Sequence, residues 1–218
     1  MKRLSVFLVL GLVVLLAGCA QQHDDTPGLM TLELSDYIVP TNTFPLTVNG
    51  DPIRLLWDPL QVGDVLEDVL LDMPAPTFDT VEGMRLSSLT GYTLIYALPS
   101  LDTPVCTRQT QELQAAAEIF PDVNFVVISL DTPFALERFC LDKDITTVYT
   151  LSDARTRDFG LAHGLYMTEY ALLARAVLIV DNNLQVVHID YVAEVTDEVD
   201  LLNAFAYLRD QGLMVEEE

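Results

Sequence analysis

The stretch GYTLIYALPSLDTPVC, residues 91–106, decides the fold. Residues 91–98 are a continuous apolar run, as expected for a strand buried on both faces. A short loop follows, Pro99 to Asp102. Thr103 is then an N-cap candidate, and Pro104 stands where proline suits the first helical turn. Strand, tight loop and helix together make an α/β unit, and that unit delivers Cys106 to the first turn of its helix. Unpaired backbone N–H groups and the positive end of the helix dipole point there. Both favour thiolate over thiol, and the thiolate is the reactive species. Thr103 can place its hydroxyl beside the sulfur, or serve as a plain N-cap.

The same alternation continues along the chain. Residues 124–130 (NFVVISL), 175–180 (RAVLIV) and 184–191 (LQVVHIDY) read as further strands. Helical patterns occupy residues 103–119, 133–141, 153–162 and 198–208. Strands alternating with helices predict an α/β sheet, and the last two strands, parted by Asp181-Asn182-Asn183, suit a closing antiparallel hairpin. Nearer the N-terminus, residues 44–48 and 53–57 flank Asn49-Gly50, a strong hairpin signal. There is no internal repeat or low-complexity block.

The chain has 218 residues, half of them hydrophobic, enough for one domain with a real core. Eleven Lys and Arg face 33 Asp and Glu, a net charge of -22. Such a surface repels phosphate and excludes nucleic acid as a partner. The acid reads as solubility, and no EF-hand-like loop accompanies it. His23, His163 and His188 are scattered and form no metal site. No flavin, haem or nucleotide motif is present, so no cofactor is expected. Gly160 and Gly164 read as helix-end glycines.

The N-terminus is a separate signal. Lys2 and Arg3 precede residues 4–17, almost wholly apolar and shorter than the ~20 residues of a spanning helix. The run stops at Leu16-Ala17-Gly18-Cys19, which resembles the lipobox of bacterial lipoproteins. An ordinary secretory signal cut at small residues is the alternative. Residues 1–18 then form a signal peptide, residues 19–43 a lipidated tether beginning at Cys19, and residues 44–218 the domain. A lipid-bearing end implies a domain held on a membrane outside the cytoplasm.

If Cys19 carries lipid, Cys106 and Cys140 remain, an even pair where disulfides can persist. A permanent bridge between them would stabilise by roughly 3–4 kcal/mol on the chain-entropy model. Local sequence points elsewhere. PSLDTPVC resembles the active-site stretch of the thiol peroxidase family, the atypical two-cysteine peroxiredoxins. DTPFALERFC resembles that family's second-cysteine helix. LSDARTRDFGLAHG, LLARAVLIVDNNLQVVHIDYV and FPLTVNGDPIRL match further blocks, covering residues 44–208.

The resemblance implies a thioredoxin-like fold, a central mixed sheet flanked by helices with an N-terminal β-hairpin. It implies that Cys106 attacks a hydroperoxide, that Thr103 hydrogen-bonds thiolate and substrate, and that Arg175 supplies positive charge. Cys140 would resolve the sulfenic acid, a thioredoxin-like dithiol would re-reduce the bridge, and a homodimer is suggested. Elementary chemistry agrees: a thiolate cleaves the O–O bond best when positive charge meets the leaving oxygen. The helix bearing Cys140 is expected to loosen when the bridge forms. Two rivals remain. A thioredoxin-like disulfide oxidoreductase usually pairs cysteines two residues apart, and Thr103 takes that place here. A non-catalytic lipoprotein module would carry a fixed disulfide.

Overall fold

The structure is a computed structural model and describes residues 45–215. The signal segment, Cys19, the tether and Phe44 lie outside the described residues. A two-stranded hairpin opens the described chain, β1 (Leu46–Val48) with β2 (Asp51–Ile53). Its turn needs left-handed backbone at two positions, and Asn49 (φ 52) and Gly50 (φ 83) supply it. The return strand therefore runs over Asp51–Ile53 and not residues 53–57; Leu55 keeps only an isolated bridge to Met167.

The main sheet has seven strands. Its centre is β5 (Thr93–Ala97), β6 (Asn124–Ser129) and β7 (Tyr149–Ser152), parallel to one another. The antiparallel pair β10 (Ala176–Val180) and β11 (Val186–Tyr191) extends it beyond β5. On the far side lie β3 (Leu70–Asp72) and β4 (Gly83–Arg85), antiparallel to each other. The order is β11-β10-β5-β6-β7-β3-β4. The mixed sheet and its closing hairpin are those read from the apolar runs. The short strands β3, β4 and β7 carry too little pattern to be read, as do the two-residue strands β8 (Tyr166–Met167) and β9 (Leu172–Leu173).

Every residue of β5 and of β10 is buried, because helices or loops cover both faces. Two connections, β5 to β6 through α1 (Pro104–Ile119) and β6 to β7 through α2 (Pro133–Lys143), step across the sheet in one direction. Right-handed crossovers then put both helices on one face. There Leu94, Tyr96, Phe125, Val127, Val177 and Ile179 meet Leu113, Leu136, Phe139 and α4 (Leu201–Asp210). The alternate residues, among them Ile95, Val126, Ile128 and Leu178, face Phe159 and the segment around Leu66 and Leu71. Burying one such Leu contributes about 1.5–3 kcal/mol.

Two helices are shorter than their sequence pattern. Residues 154–156 form a turn, and α3 occupies only Asp158–Ala162. Asp153 is the reason: its buried carboxylate accepts the Phe159 and Gly160 N–H groups, which starts the helix later. Gly160 thus lies inside α3, where a Cβ would collide with Leu173. Asp200 similarly caps α4 by accepting from the N–H groups of Leu202 and Asn203, so that helix begins at Leu201 and not at residue 198.

Candidate active site

β5 runs out at Ala97, and the chain turns sharply to enter α1. Asp131, just after β6, holds that turn: its carboxylate accepts from Ser100 Oγ (2.8 Å), Leu101 N (2.8 Å) and Ser129 Oγ (2.8 Å). Thr103 sits at the N-cap in extended backbone, with Pro104 next. Its hydroxyl neither caps the helix nor reaches the sulfur; it donates to Ser100 O at 3.0 Å. Cys106, third in α1, is fully buried on the helix's inward stripe with Gln109, Thr110, Leu113, Ala116 and Ala117.

Arg175 directly precedes β10 and is 3% exposed. Strand alternation puts it on the face of Val177, which pairs with Tyr96. Its Nη1 donates to Cys106 Sγ at 3.2 Å and also to Tyr96 Oη. Its Nε donates to Val195 O at 3.1 Å. A guanidinium stays charged, and burying a charge is costly unless it is paired and hydrogen-bonded. These bonds go to a phenol, a carbonyl and a sulfur, none to a carboxylate. Cys106 Sγ thus sits directly against the positive charge of a buried guanidinium.

Tyr96 Oη in turn donates to Gln109 Oε1 at 2.7 Å, and Gln109 Nε2 donates to Val199 O at 2.7 Å. Burial, reinforced by the neighbouring Cys106, pushes the phenol well above its ordinary value although Arg175 opposes this, so it is neutral at physiological pH. The structure therefore brings Cys106 and Arg175 together, and adds Tyr96, Gln109 and Asp131. Gln109 was signalled by a polar side chain three residues after the cysteine on the buried side of the helix. Tyr96 was hidden in an apolar run, and its partner lies 79 residues away.

Cys140 lies in the last turns of α2, half-buried, with Sγ 3.1 Å from Thr150 Oγ1 on β7. Burial raises its thiol above the ordinary value, only partly offset by that contact. Cys106 and Cys140 are both free and unbridged, each engaged with its own partner. A cleft of about 390 Å³ lies between the turn at Leu101 and Asp102 and the α2 side chains Arg138, Phe139 and Lys143. His163 and His188 stand apart from this site; His188 pairs with Asp190 at 2.9 Å.

The Redoxin family model matches residues 72–206. The thiol peroxidase of Bacillus subtilis (strain 168) is 39% identical over 153 residues, 70% of this chain and 89% of that one. The thiol peroxidase of Oceanobacillus iheyensis is 34% identical over 164 residues, 75% of this chain and 97% of that one. Among solved structures, a peroxiredoxin-like protein from Aquifex aeolicus superposes with a TM-score of 0.68 at 28% identity, covering 76% of this chain and 95% of that one. A thiol peroxidase from Chromobacterium violaceum gives 0.68 at 23% identity, covering 78% and 97%, a likeness of fold.

Proposed function

The chain belongs to the Redoxin family and is a peroxiredoxin enzyme related to the thiol peroxidases, and from this premise we propose how its residues carry the reaction. The observation that carries the reading is Arg175 Nη1 placed 3.2 Å from Cys106 Sγ in the first turn of α1. Cys106, as thiolate, attacks one oxygen of a hydroperoxide. The O–O bond breaks, the sulfur becomes a sulfenic acid, and the other oxygen leaves as an alcohol or water once protonated. Arg175 stabilises the negative charge that develops on the leaving oxygen. Thr103 keeps its hydroxyl on Ser100 O in this state.

Cys140 then attacks the sulfenic sulfur, expelling water and forming a disulfide. A thioredoxin-like dithiol reduces that disulfide and is itself oxidised. Forming the bridge takes each sulfur from its present partner, Arg175 for Cys106 and Thr150 for Cys140, and we propose that α2 gives way to allow it. The test is peroxide decay with a thioredoxin system. Cys106→Ser abolishes consumption, whereas Cys140→Ser consumes one equivalent and stalls unless a small thiol is added. Full turnover by Cys106→Ser would overturn the assignment.

We further propose that Cys19 is acylated and tethers the enzyme to a membrane outside the cytoplasm. Support comes from Lys2 and Arg3, the apolar residues 4–17 and Leu16-Ala17-Gly18 before the cysteine. The two relatives are matched over 89% and 97% of their lengths by 70% and 75% of this chain, which leaves room for an added segment. Labelled palmitate should enter the wild type and not Cys19→Ser, which should leave the membrane fraction; equal labelling of both would refute this.

A further inference from the structure

We propose that Tyr96, held by Gln109, is a positioning residue that fixes the Arg175 guanidinium against the Cys106 sulfur. This rests on the reading of Cys106 as the peroxide-reactive residue. Tyr96 is wholly buried in the middle of β5. A Phe ring would fill nearly the same space with no polar group to desolvate, so a phenol here needs partners. The Cys106 sulfur lies beside it, and two further partners, Gln109 and Arg175, fix the direction of its strong bonds. Gln109 Oε1 takes the phenolic proton at 2.7 Å, which leaves the oxygen's lone pairs to face Arg175 Nη1. Gln109 cannot turn its amide round, because its Nε2 donates to Val199 O at 2.7 Å.

The guanidinium is thus held at two points. Nε is bound to Val195 O at 3.1 Å, and Nη1 to the phenol. Two points define the orientation of a planar group, and the orientation so defined places Nη1 3.2 Å from Cys106 Sγ. Both carbonyl anchors, Val195 and Val199, belong to the single segment between β11 and α4. Without the phenol, Nη1 keeps only the sulfur, a weak acceptor when neutral, and the ring plane can swing about the Nε bond. Tyr96 acts through Arg175 and touches no substrate in this scheme. A misplaced cation would leave the leaving oxygen poorly stabilised, a cost that grows steeply with displacement.

The experiment uses the full chain, reduced, with three readouts: the rate at which hydrogen peroxide oxidises Cys106 in one turnover, the rate of Cys106 alkylation by iodoacetamide at pH 7, and the melting temperature. Tyr96→Phe is expected to slow both reactions about tenfold, the loss of one hydrogen bond to a charged group. In an Arg175→Met background, Tyr96→Phe is expected to slow them no further. Wild-type rates in Tyr96→Phe overturn the proposal. So does an equal fold-loss with and without Arg175, which would mark a merely structural role. Gln109→Leu, which frees the phenolic proton and leaves the ring, is the second variant should Tyr96→Phe fail to fold; it is expected to show a smaller loss with the same dependence on Arg175, and wild-type rates in it overturn the proposal. A wild type that peroxide does not oxidise would sink the peroxidase reading, while the alkylation arm would still decide the role of Tyr96.

Discussion

Arg175, Asp153 and His163 are among the ionisable side chains nearly removed from water, and they serve different ends. Arg175 is satisfied by the groups around the sulfur. Asp153 and His163 flank α3 instead. Burial pushes Asp153 up to about 6, against the pull of the Gly160 and Phe159 amides. Burial pushes His163 down to about 4, while Nε2 accepts from Glu67 N at 2.9 Å. The signs oppose. Asp153 lies above its ordinary value of 3.8, so its contribution to stability is full below that pH and is lost as pH rises through about 6. His163 lies below its ordinary value of 6.5, so its contribution is full above that pH and is lost as pH falls through about 4. Each is worth at most about 3 kcal/mol. Against wild type, the stability deficit of His163→Gln should shrink as pH falls from 6 to 4, and that of Asp153→Asn should grow. Urea midpoints across this window check both; parallel curves would show that neither group titrates as described.

At the scale of elements, α2 is the piece expected to move. It begins with Thr132 and Pro133 and ends at Asp144 in left-handed backbone (φ 53). Leu136 and Phe139 hold it to the sheet, but Leu141 is 72% exposed. From the other side, Gln114 of α1 ties down the segment after α2, its Oε1 accepting from the N–H groups of Thr146 (3.1 Å) and Thr147 (3.0 Å). Joining Cys140 to Cys106 must withdraw Cys140 from Thr150, and the last turns of α2 have the least to lose. Amide exchange over residues 134–141 should therefore quicken in the oxidised protein relative to the reduced one, while β5 and β10 stay protected. Identical exchange in the two states would refute a mobile α2.

For the whole molecule, the dominant long-range force is self-repulsion. A net charge of -22 on 218 residues opposes compaction at low ionic strength. Surface pairs such as Arg54 with Glu169 (2.9 Å) offset little of it. Salt shortens the Debye length from roughly 30 Å at 0.01 M to 8 Å at 0.15 M. The melting temperature should rise over that interval, measured by calorimetry on the reduced protein. A fall would mean that specific ion pairs outweigh the net charge.

Period and punctuation settled much of this protein from residue order alone. The apolar runs set β5, β6 and β10, because a strand buried on both faces needs no partner to betray it, and the Asp181-Asn182-Asn183 turn then set the half-buried β11. Asn49-Gly50 set the hairpin turn, and Thr103-Pro104 set the start of α1 and so put Cys106 in its first turn. These are local effects of backbone dihedrals and side-chain hydrophobicity. The short strands β3, β4, β7, β8 and β9 were illegible, since none carries the long apolar run or the two-residue turn that marks a strand from sequence. So was the late start of α3, imposed by the Asp153 carboxylate. The chain order likewise offered Thr103 as a neighbour for the sulfur, and folding turned its hydroxyl to Ser100. What tertiary structure alone decided is the company the sulfur keeps: Arg175 and Tyr96 are brought to Cys106 by the register of β10 on β5, and sheet pairing, unlike a helix turn, joins residues regardless of their separation along the chain.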